Sequence, residues 1–209
     1  MALNWWWPSR HRRRRHDPPA RRRAAAVAGH RGDAEAARRH LRDRDGRVRA
    51  TALTAVERCG ALTDAELEAA GADPDPTVRR RVAELAVGHP DVSLLGLLDD
   101  PDDSVVEVAA WASGERSPVE PGALQQLASI AVGGGDPLCR ESAVAALGAI
   151  GDDAGLPAVL EATGDVAAVR RRAVIALAAF SGPEVDAALE RARTDRDRQV
   201  RQAAEDLST

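Results

Sequence analysis

Residues 75–83 read DPTVRRRVA, and variants of this pattern recur along the whole chain. Each copy has an aspartate, usually three residues before a small apolar residue, and an arginine often follows that apolar residue. The small apolar residue, here called the anchor, falls at Ala20, Val48, Val78, Val105, Cys139, Val169 and Val200. The anchors lie 27 to 34 residues apart. A period of this length is typical of proteins built from stacked repeats.

Each copy of the pattern predicts the start of a helix. An aspartate carboxylate can accept hydrogen bonds from the free N–H groups of a first helical turn. Residues four positions after the anchors are small or apolar, and their spacing predicts one buried helix face. The predicted caps are Asp17, Asp45, Asp75, Asp102, Asp136, Asp165 and Asp197, and the residues at the fourth position are Ala24, Ala52, Val82, Ala109, Ala143, Ala173 and Ala204.

A second helix is predicted in each interval between anchors. The clearest case begins at Thr63, because Glu66 three residues later completes a capping box. The other segments have similar apolar spacing or fill the corresponding interval, with Gly and Pro at many joins. The six predicted second helices lie within 33–42, 63–72, 90–98, 121–132, 155–163 and 183–192. The helices that begin at the capping aspartates are here called first helices. The one that begins at Asp197 is not followed by a second helix.

This pattern resembles the bacterial HEAT-repeat proteins, especially the short-repeat type also found in phycobilisome lyases. The resemblance is carried by close variants of DxxVRxxAxxAL at 45–56, 75–86, 136–147 and 165–177, and by AAWASG at 109–114. It implies an all-α, right-handed α-solenoid of about seven HEAT-like helical hairpins over residues 17–209, with the last hairpin incomplete. First helices would form the outer face and second helices the concave face.

Residues 1–16 precede the first predicted cap and form a basic, Trp-rich N-terminal extension. Its tryptophans are Trp5, Trp6 and Trp7, and its arginines are Arg10, Arg12, Arg13, Arg14 and Arg15. Four interpretations stay open: contact with an anionic membrane, contact with nucleic acid, masking of the chain's own acidic part, or a solvated tail. Residues 51–209 hold 14 Arg against 28 acidic residues. That acidity makes a nucleic-acid partner the less favoured one.

Arginine directly follows six of the seven anchors, and Val106 is the exception. A fixed position in every repeat favours pairing with a cap or a neighbouring carboxylate over a phosphate-binding stripe. Trp111 lies beside Ala109 and Ala110 in a predicted first helix and is expected in or near the core.

Catalytic and metal-binding signals are weak. The five histidines lack metal-ligand spacing. The HEAT-like deoxyhypusine hydroxylases resemble this fold but bind iron through His-Glu pairs, and the sequence contains no His-Glu dipeptide. Cys59 and Cys139 lie three repeats apart, which predicts free thiols. With no apparent signal peptide or membrane-spanning run, the expected location is the cytoplasm or the inner face of its membrane. We predict no enzyme activity, cofactor or metal.

The predicted function is a protein–protein interaction scaffold or adaptor that uses the concave face. Its partner would be another protein, possibly a basic one, and charge reversal at Glu66 and Glu68 is expected to weaken binding. The predicted partner-binding residues are Asp64, Glu66, Glu68, Gln125, Gln126, Ser129, Glu161, Asp186 and Glu190. Two alternatives are a peripheral membrane or nucleic-acid adaptor tethered by residues 5–16, and a HEAT-type lyase or chaperone-like protein.

Overall fold

A computed structural model describes residues 17–207, which contain thirteen α-helices and no strand. The first helices are α1 (Pro18–His30), α3 (Gly46–Arg58), α5 (Pro76–Leu85), α7 (Asp103–Gly114), α9 (Pro137–Ile150), α11 (Ala167–Ala176) and α13 (Arg198–Asp206). The second helices are α2 (Ala34–Arg38), α4 (Asp64–Gly71), α6 (Leu95–Leu98), α8 (Ala123–Gly133), α10 (Leu156–Ala162) and α12 (Pro183–Ala192). The predicted extension, residues 1–16, lies outside the described residues.

The chain divides after Leu85 into two compact units. In the first unit, α1 packs on α3 and α3 packs on α5. In the second unit, α7, α9, α11 and α13 pack in the same sequential way. Each unit is therefore a short all-α solenoid in which first helices stack in a row.

Aspartate side chains cap most first helices, as the sequence predicts. The Asp45 carboxylate accepts hydrogen bonds from the backbone N–H groups of Arg47, at 3.0 Å, and Val48, at 3.3 Å. Side chains at the same position cap α7, α9 and α13. Asp17 occupies the cap position of α1 without a side-chain hydrogen bond.

The predicted capping role of Asp165 is wrong. Val166 occupies the N-cap position of α11, and no side chain accepts a capping hydrogen bond there. Asp165 lies one residue outside the cap, because this repeat carries its aspartate four rather than three residues before the anchor. Its carboxylate is directed to an arginine of the preceding repeat, described below.

Two second helices are shorter than predicted. The helix predicted within 33–42 ends at Arg38, and the one predicted within 90–98 covers only Leu95–Leu98. The latter is short because distant side chains bind the backbone that would begin it. The Arg116 guanidinium donates to carbonyl oxygens of the 86–92 segment, and the Glu120 carboxylate accepts from the Leu94 amide at 2.9 Å. The capping box of α4 is present as predicted.

The core consists of small and branched side chains, with fully buried Leu53 and Leu67 in the first unit and Leu127 and Leu147 in the second. Trp111 is not part of it, which corrects the sequence prediction: the residue is 46% exposed. Close stacking of α7 on its neighbours leaves room there for alanines but not for an indole, so the tryptophan points outward. Ala24 is likewise exposed, because α1 is the first described helix and packs with its opposite side on α3.

Candidate functional site

Arginine–aspartate bridges connect consecutive repeats of the first unit. Arg21 binds Asp43 through two hydrogen bonds of 2.7 and 3.1 Å. Arg49 binds Asp73 in the same bidentate way, at 2.7 and 2.6 Å, and also donates to the Asp43 carbonyl oxygen at 2.7 Å. Each arginine therefore links its own repeat to the next one.

The second unit contains the same bridges. Arg140 binds Asp165 at 2.6 and 2.9 Å, and Arg170 binds Asp195 at 2.9 and 2.8 Å. Arg170 also donates to the Asp165 carbonyl oxygen at 2.8 Å. Bidentate pairs of this kind fix orientation as well as distance. The structural interpretation of these arginines is confirmed, and their partner is the neighbouring carboxylate rather than the cap.

One step of the series lacks both members of the pair. Val106 occupies the arginine position of α7, and Gly134 occupies the position five residues before the next anchor, where other repeats often carry the aspartate. Val106 is buried. An unpaired buried charge would be costly. The joint loss of the arginine and the aspartate therefore indicates that the two residues occur together because they form an ion pair.

These bridges predict that the second unit loses stability at acid pH. The Arg170 guanidinium holds the pKa of the Asp195 carboxyl below its usual value, and Arg140 does the same to the pKa of Asp165. A lowered folded-state pKa contributes stability above the unfolded value, about 3.9, and that contribution is lost as pH falls through the folded pKa. In urea titrations from pH 7 to 3, the stability difference between wild type and Asp195→Asn should therefore shrink below about pH 4. A difference that is constant over this range would contradict the assignment.

In the first unit, Glu66 already has partners within the chain. Its carboxylate accepts from Arg38 Nε at 2.8 Å and from the Thr63 backbone N–H at 3.0 Å. Glu68 is exposed and has no ion-pair partner among the described residues, whereas Asp64 is half-buried in the first turn of α4. Charge reversal at Glu66 would disturb the fold, so Glu68 is the cleaner position for testing binding on α4.

A cavity of about 540 Å³ lies beside this bridge and has mixed chemistry. Leu41, Leu53 and Val78 contribute apolar surface, and Arg39 and Arg42 contribute exposed guanidinium groups. Neither arginine has an ion-pair partner within residues 17–207. This part of the first unit does not present a uniformly acidic surface.

In the second unit, the predicted residues lie on the exposed sides of three second helices. Gln125 and Ser129 are exposed one turn apart on α8, and Asp186 and Glu190 are exposed one turn apart on α12. Glu161 is exposed on α10, which packs against α8.

The partners of these residues differ. Glu190 pairs with Arg193 of its own helix region at 2.7 Å. Glu161 and Asp186 have no ion-pair partner in the described part of the chain. Gln126 differs from the others because its Oε1 is buried without a hydrogen bond, so it points inward rather than towards a partner.

The remaining predicted contact residues lie outside the described residues. They are Trp5, Trp6, Trp7, Arg10, Arg12, Arg13, Arg14 and Arg15.

The potential metal ligands and the cysteine thiols within residues 17–207 form no reactive site. No group of three or more His, Cys, Asp or Glu side chains there could hold a metal ion. Both cysteines are free thiols. Burial raises the pKa of the Cys139 thiol to about 11, which keeps it protonated at neutral pH. None of the helices within 17–207 has the length and apolar character needed to cross a membrane.

Comparison with known proteins identifies the repeat type. Residues 124–208 match the family model for HEAT repeats. Two solved structures resemble the chain weakly. Human deoxyhypusine hydroxylase in complex with glycerol has 20% identity and a TM-score of 0.48, over 92% of this chain and 79% of that one. The designed armadillo repeat protein YIII(Dq)4CqI has 17% identity and a TM-score of 0.49, over 96% and 94%.

Structural similarity this weak is not evidence of a shared activity. No curated protein matches the chain in sequence. The family match covers α8 to α13, and the capping aspartates and arginine–aspartate bridges within it recur in the first unit. Residues 124–208 match HEAT repeats, and residues 17–207 form an all-α repeat fold.

Proposed function

We propose that this protein is a non-enzymatic interaction scaffold or adaptor that binds a basic segment of another protein along the second helices of its second unit. One observation carries the proposal. The carboxylates of Asp165 and Asp195 between repeats are neutralised by arginine, whereas Glu161 and Asp186 on the second helices are exposed without an ion-pair partner among the described residues. The unpaired carboxylates of Glu161 and Asp186 on the second helices favour a cationic partner.

The repeat framework supports such binding because it is formed before the partner arrives. HEAT repeats generally mediate protein–protein interaction. Bidentate bridges and a closely packed core hold α8, α10 and α12 on stacked first helices, so little ordering cost remains for association. Exposed Gln125 and Ser129 on α8, which packs against α10, add neutral hydrogen-bonding groups to the second helices.

The proposal concerns the second unit rather than the first. In the first unit, Arg39 and Arg42 lie near Glu66, and Glu66 is itself bound by Arg38. A cationic partner would meet repulsion there as well as attraction. We also propose a cytoplasmic location, where free thiols such as Cys59 and Cys139 stay reduced.

Selection from a randomised peptide library displayed on phage tests the proposal. Peptides selected on the wild-type protein are expected to carry net positive charge. Their affinity for the double variant Glu161→Arg, Asp186→Arg should fall at least tenfold, about 1.4 kcal/mol, because two attractive contacts become repulsive.

The matched control is Asp91→Arg with Glu205→Arg, which changes the net charge equally. Asp91 lies in the loop before α6 and Glu205 lies on a first helix, and both are exposed. Affinity for the control should stay within about twofold of wild type at 0.15 M salt, where distant charges are screened. Equal losses in both variants would reduce the effect to net charge and contradict the proposed site.

A further inference from the structure

The cavity of about 540 Å³ in the first unit, here called the first-unit cavity, has the size of a small-molecule pocket. All of its lining residues lie within 35–78, so the first unit forms it alone. Leu53 and Val78 are buried, and Leu41 is half-buried. The apolar side chains that line the cavity are Leu41, Leu53, Ala69, Ala70 and Val78. Together they could cover the apolar part of a ligand.

The carboxylates that line the first-unit cavity are already bound by arginines of the same cavity. Arg38 donates to Glu66 at 2.8 Å and to Glu35 at 3.2 Å. Arg49 binds both oxygens of Asp73, at 2.7 and 2.6 Å. These ion pairs neutralise the acidic groups, so a ligand would not meet free carboxylates on Glu66 or Asp73.

Arg39 and Arg42 are the charges of the cavity that remain. Both are exposed, and neither has an ion-pair partner within residues 17–207. The Leu41 N–H donates to the Arg38 carbonyl oxygen at 3.0 Å, so a helical turn continues beyond α2. Residues three apart in such a turn lie on the same side, which brings Arg39 and Arg42 to one side of the cavity. Two unneutralised guanidinium groups therefore adjoin an apolar recess.

We propose that the first-unit cavity binds a small amphiphilic acid. Its carboxylate or phosphate group would be bound by Arg39 and Arg42, and its apolar part would contact Leu41, Leu53 and Val78. Guanidinium groups suit this role because they bind carboxylate and phosphate oxygens through paired hydrogen bonds. A cationic ligand would be repelled by the same two arginines.

The inference goes beyond the proposed scaffold function and does not depend on it. The first-unit cavity lies within 35–78, whereas the proposed protein partner is basic and binds second helices of the second unit. The double variant Glu161→Arg, Asp186→Arg leaves every lining residue of the cavity unchanged. It should therefore bind the small acid as wild type does, even though it loses the basic peptides.

Titration of the full-length protein with four ligands that share one alkyl chain tests the proposal. They are octanoate, octyl phosphate, octanol and octylammonium, and binding is followed through the methyl NMR signals of Leu41, Leu53 and Val78. Octanoate and octyl phosphate should bind at least about tenfold more tightly than octylammonium, because attraction to the guanidinium groups becomes repulsion. From octanoate to hexanoate and butyrate, affinity should fall about fourfold for each methylene group removed from the cavity.

The variant Arg39→Gln with Arg42→Gln tests the head-group contact. Octanoate affinity should fall at least about tenfold, because both charged donors are lost. The urea midpoint should stay at the wild-type value, since both side chains are exposed. The matched control is Arg31→Gln with Arg47→Gln, which removes two exposed arginines of the first unit outside the cavity. Its affinity for octanoate should stay within about twofold of wild type.

Several results would overturn the proposal. One is the absence of methyl shifts at Leu41, Leu53 and Val78 with all four ligands. Equal affinity for octanoate and octylammonium would show apolar contact without recognition of the acid, and equal affinity for octanoate and acetate would show an adventitious ion only. A control variant that binds as weakly as the Arg39 and Arg42 variant would assign the effect to net charge instead of to this cavity.

Discussion

Replacing Gly148 with valine is expected to destabilise the second unit by about 3 kcal/mol. A Cβ atom at Gly148 would lie 2.7 Å from the Ala176 Cβ and 2.9 Å from its Cα, so α9 and α11 could not keep their present separation. Overpacking of this kind costs about 1–3 kcal/mol and sometimes more, and the two γ-methyl groups of valine add to it. Urea denaturation followed by circular dichroism at 222 nm would measure the loss.

Gly133→Val is the matched control, because a Cβ atom at Gly133 meets no atom within 4 Å. Its effect should stay within about 0.5 kcal/mol of zero. If both glycine variants unfold at the same urea concentration, close approach of the first helices is not what stabilises the stack.

Replacing Arg170 with alanine is expected to cost about 3 kcal/mol. Arg170 is 5% exposed. Its loss would remove both guanidinium hydrogen bonds from the Asp195 carboxylate, which would keep only the Asp197 backbone N–H, and would remove the donor to the Asp165 carbonyl oxygen. Removing one partner of a buried ion pair is costly because the remaining charge stays desolvated. The same urea titration at pH 7 would measure this loss.

Arg171→Ala is the control for that variant. Arg171 neighbours Arg170 on α11 but is exposed, and its loss should change stability by less than about 0.5 kcal/mol. In an Asp195→Ala background, Arg170→Ala should have a much smaller effect than in wild type, because the pair is already broken. Equal destabilisation by Arg170→Ala and Arg171→Ala would contradict the bridge.

The sequence predicts what depends on local pattern. A near-constant period and a capping aspartate such as Asp45 are enough to place the seven first helices, and Thr63 with Glu66 is enough to begin α4. These features involve residues within one turn of each other. The shortening of α6 was not predictable in this way, because it depends on Arg116 and Glu120 reaching back along the chain.

The partners of the repeated arginines were only partly predictable. A signal was present, since an aspartate precedes the capping aspartate by two residues in DRDG at 43–46, DPDP at 73–76 and DRDR at 195–198. The joint replacement of arginine by Val106 and of this aspartate by Gly134 points to the same pairing. Recognising it requires alignment of neighbouring repeats against each other.

The sequence predicts which helices form the candidate site, but it does not predict which of their side chains already have partners within the chain. The sequence assigned Glu66 and Gln126 to binding, but Arg38 binds Glu66 and Gln126 turns its Oε1 inward. The alanines beside Trp111 in the sequence predict a position in or near the core. Its outward direction follows from the helix face it shares with Ile175, which becomes visible only once the stacking register is known.

Hydrogen–deuterium exchange of the protein with and without a selected basic peptide tests the scaffold account most directly. The account predicts slower exchange on peptide addition within 123–133, 156–162 and 183–192, the second helices that carry Gln125, Glu161 and Asp186. Slower exchange confined to the first helices, within 103–114, 137–150 and 167–176, would contradict it.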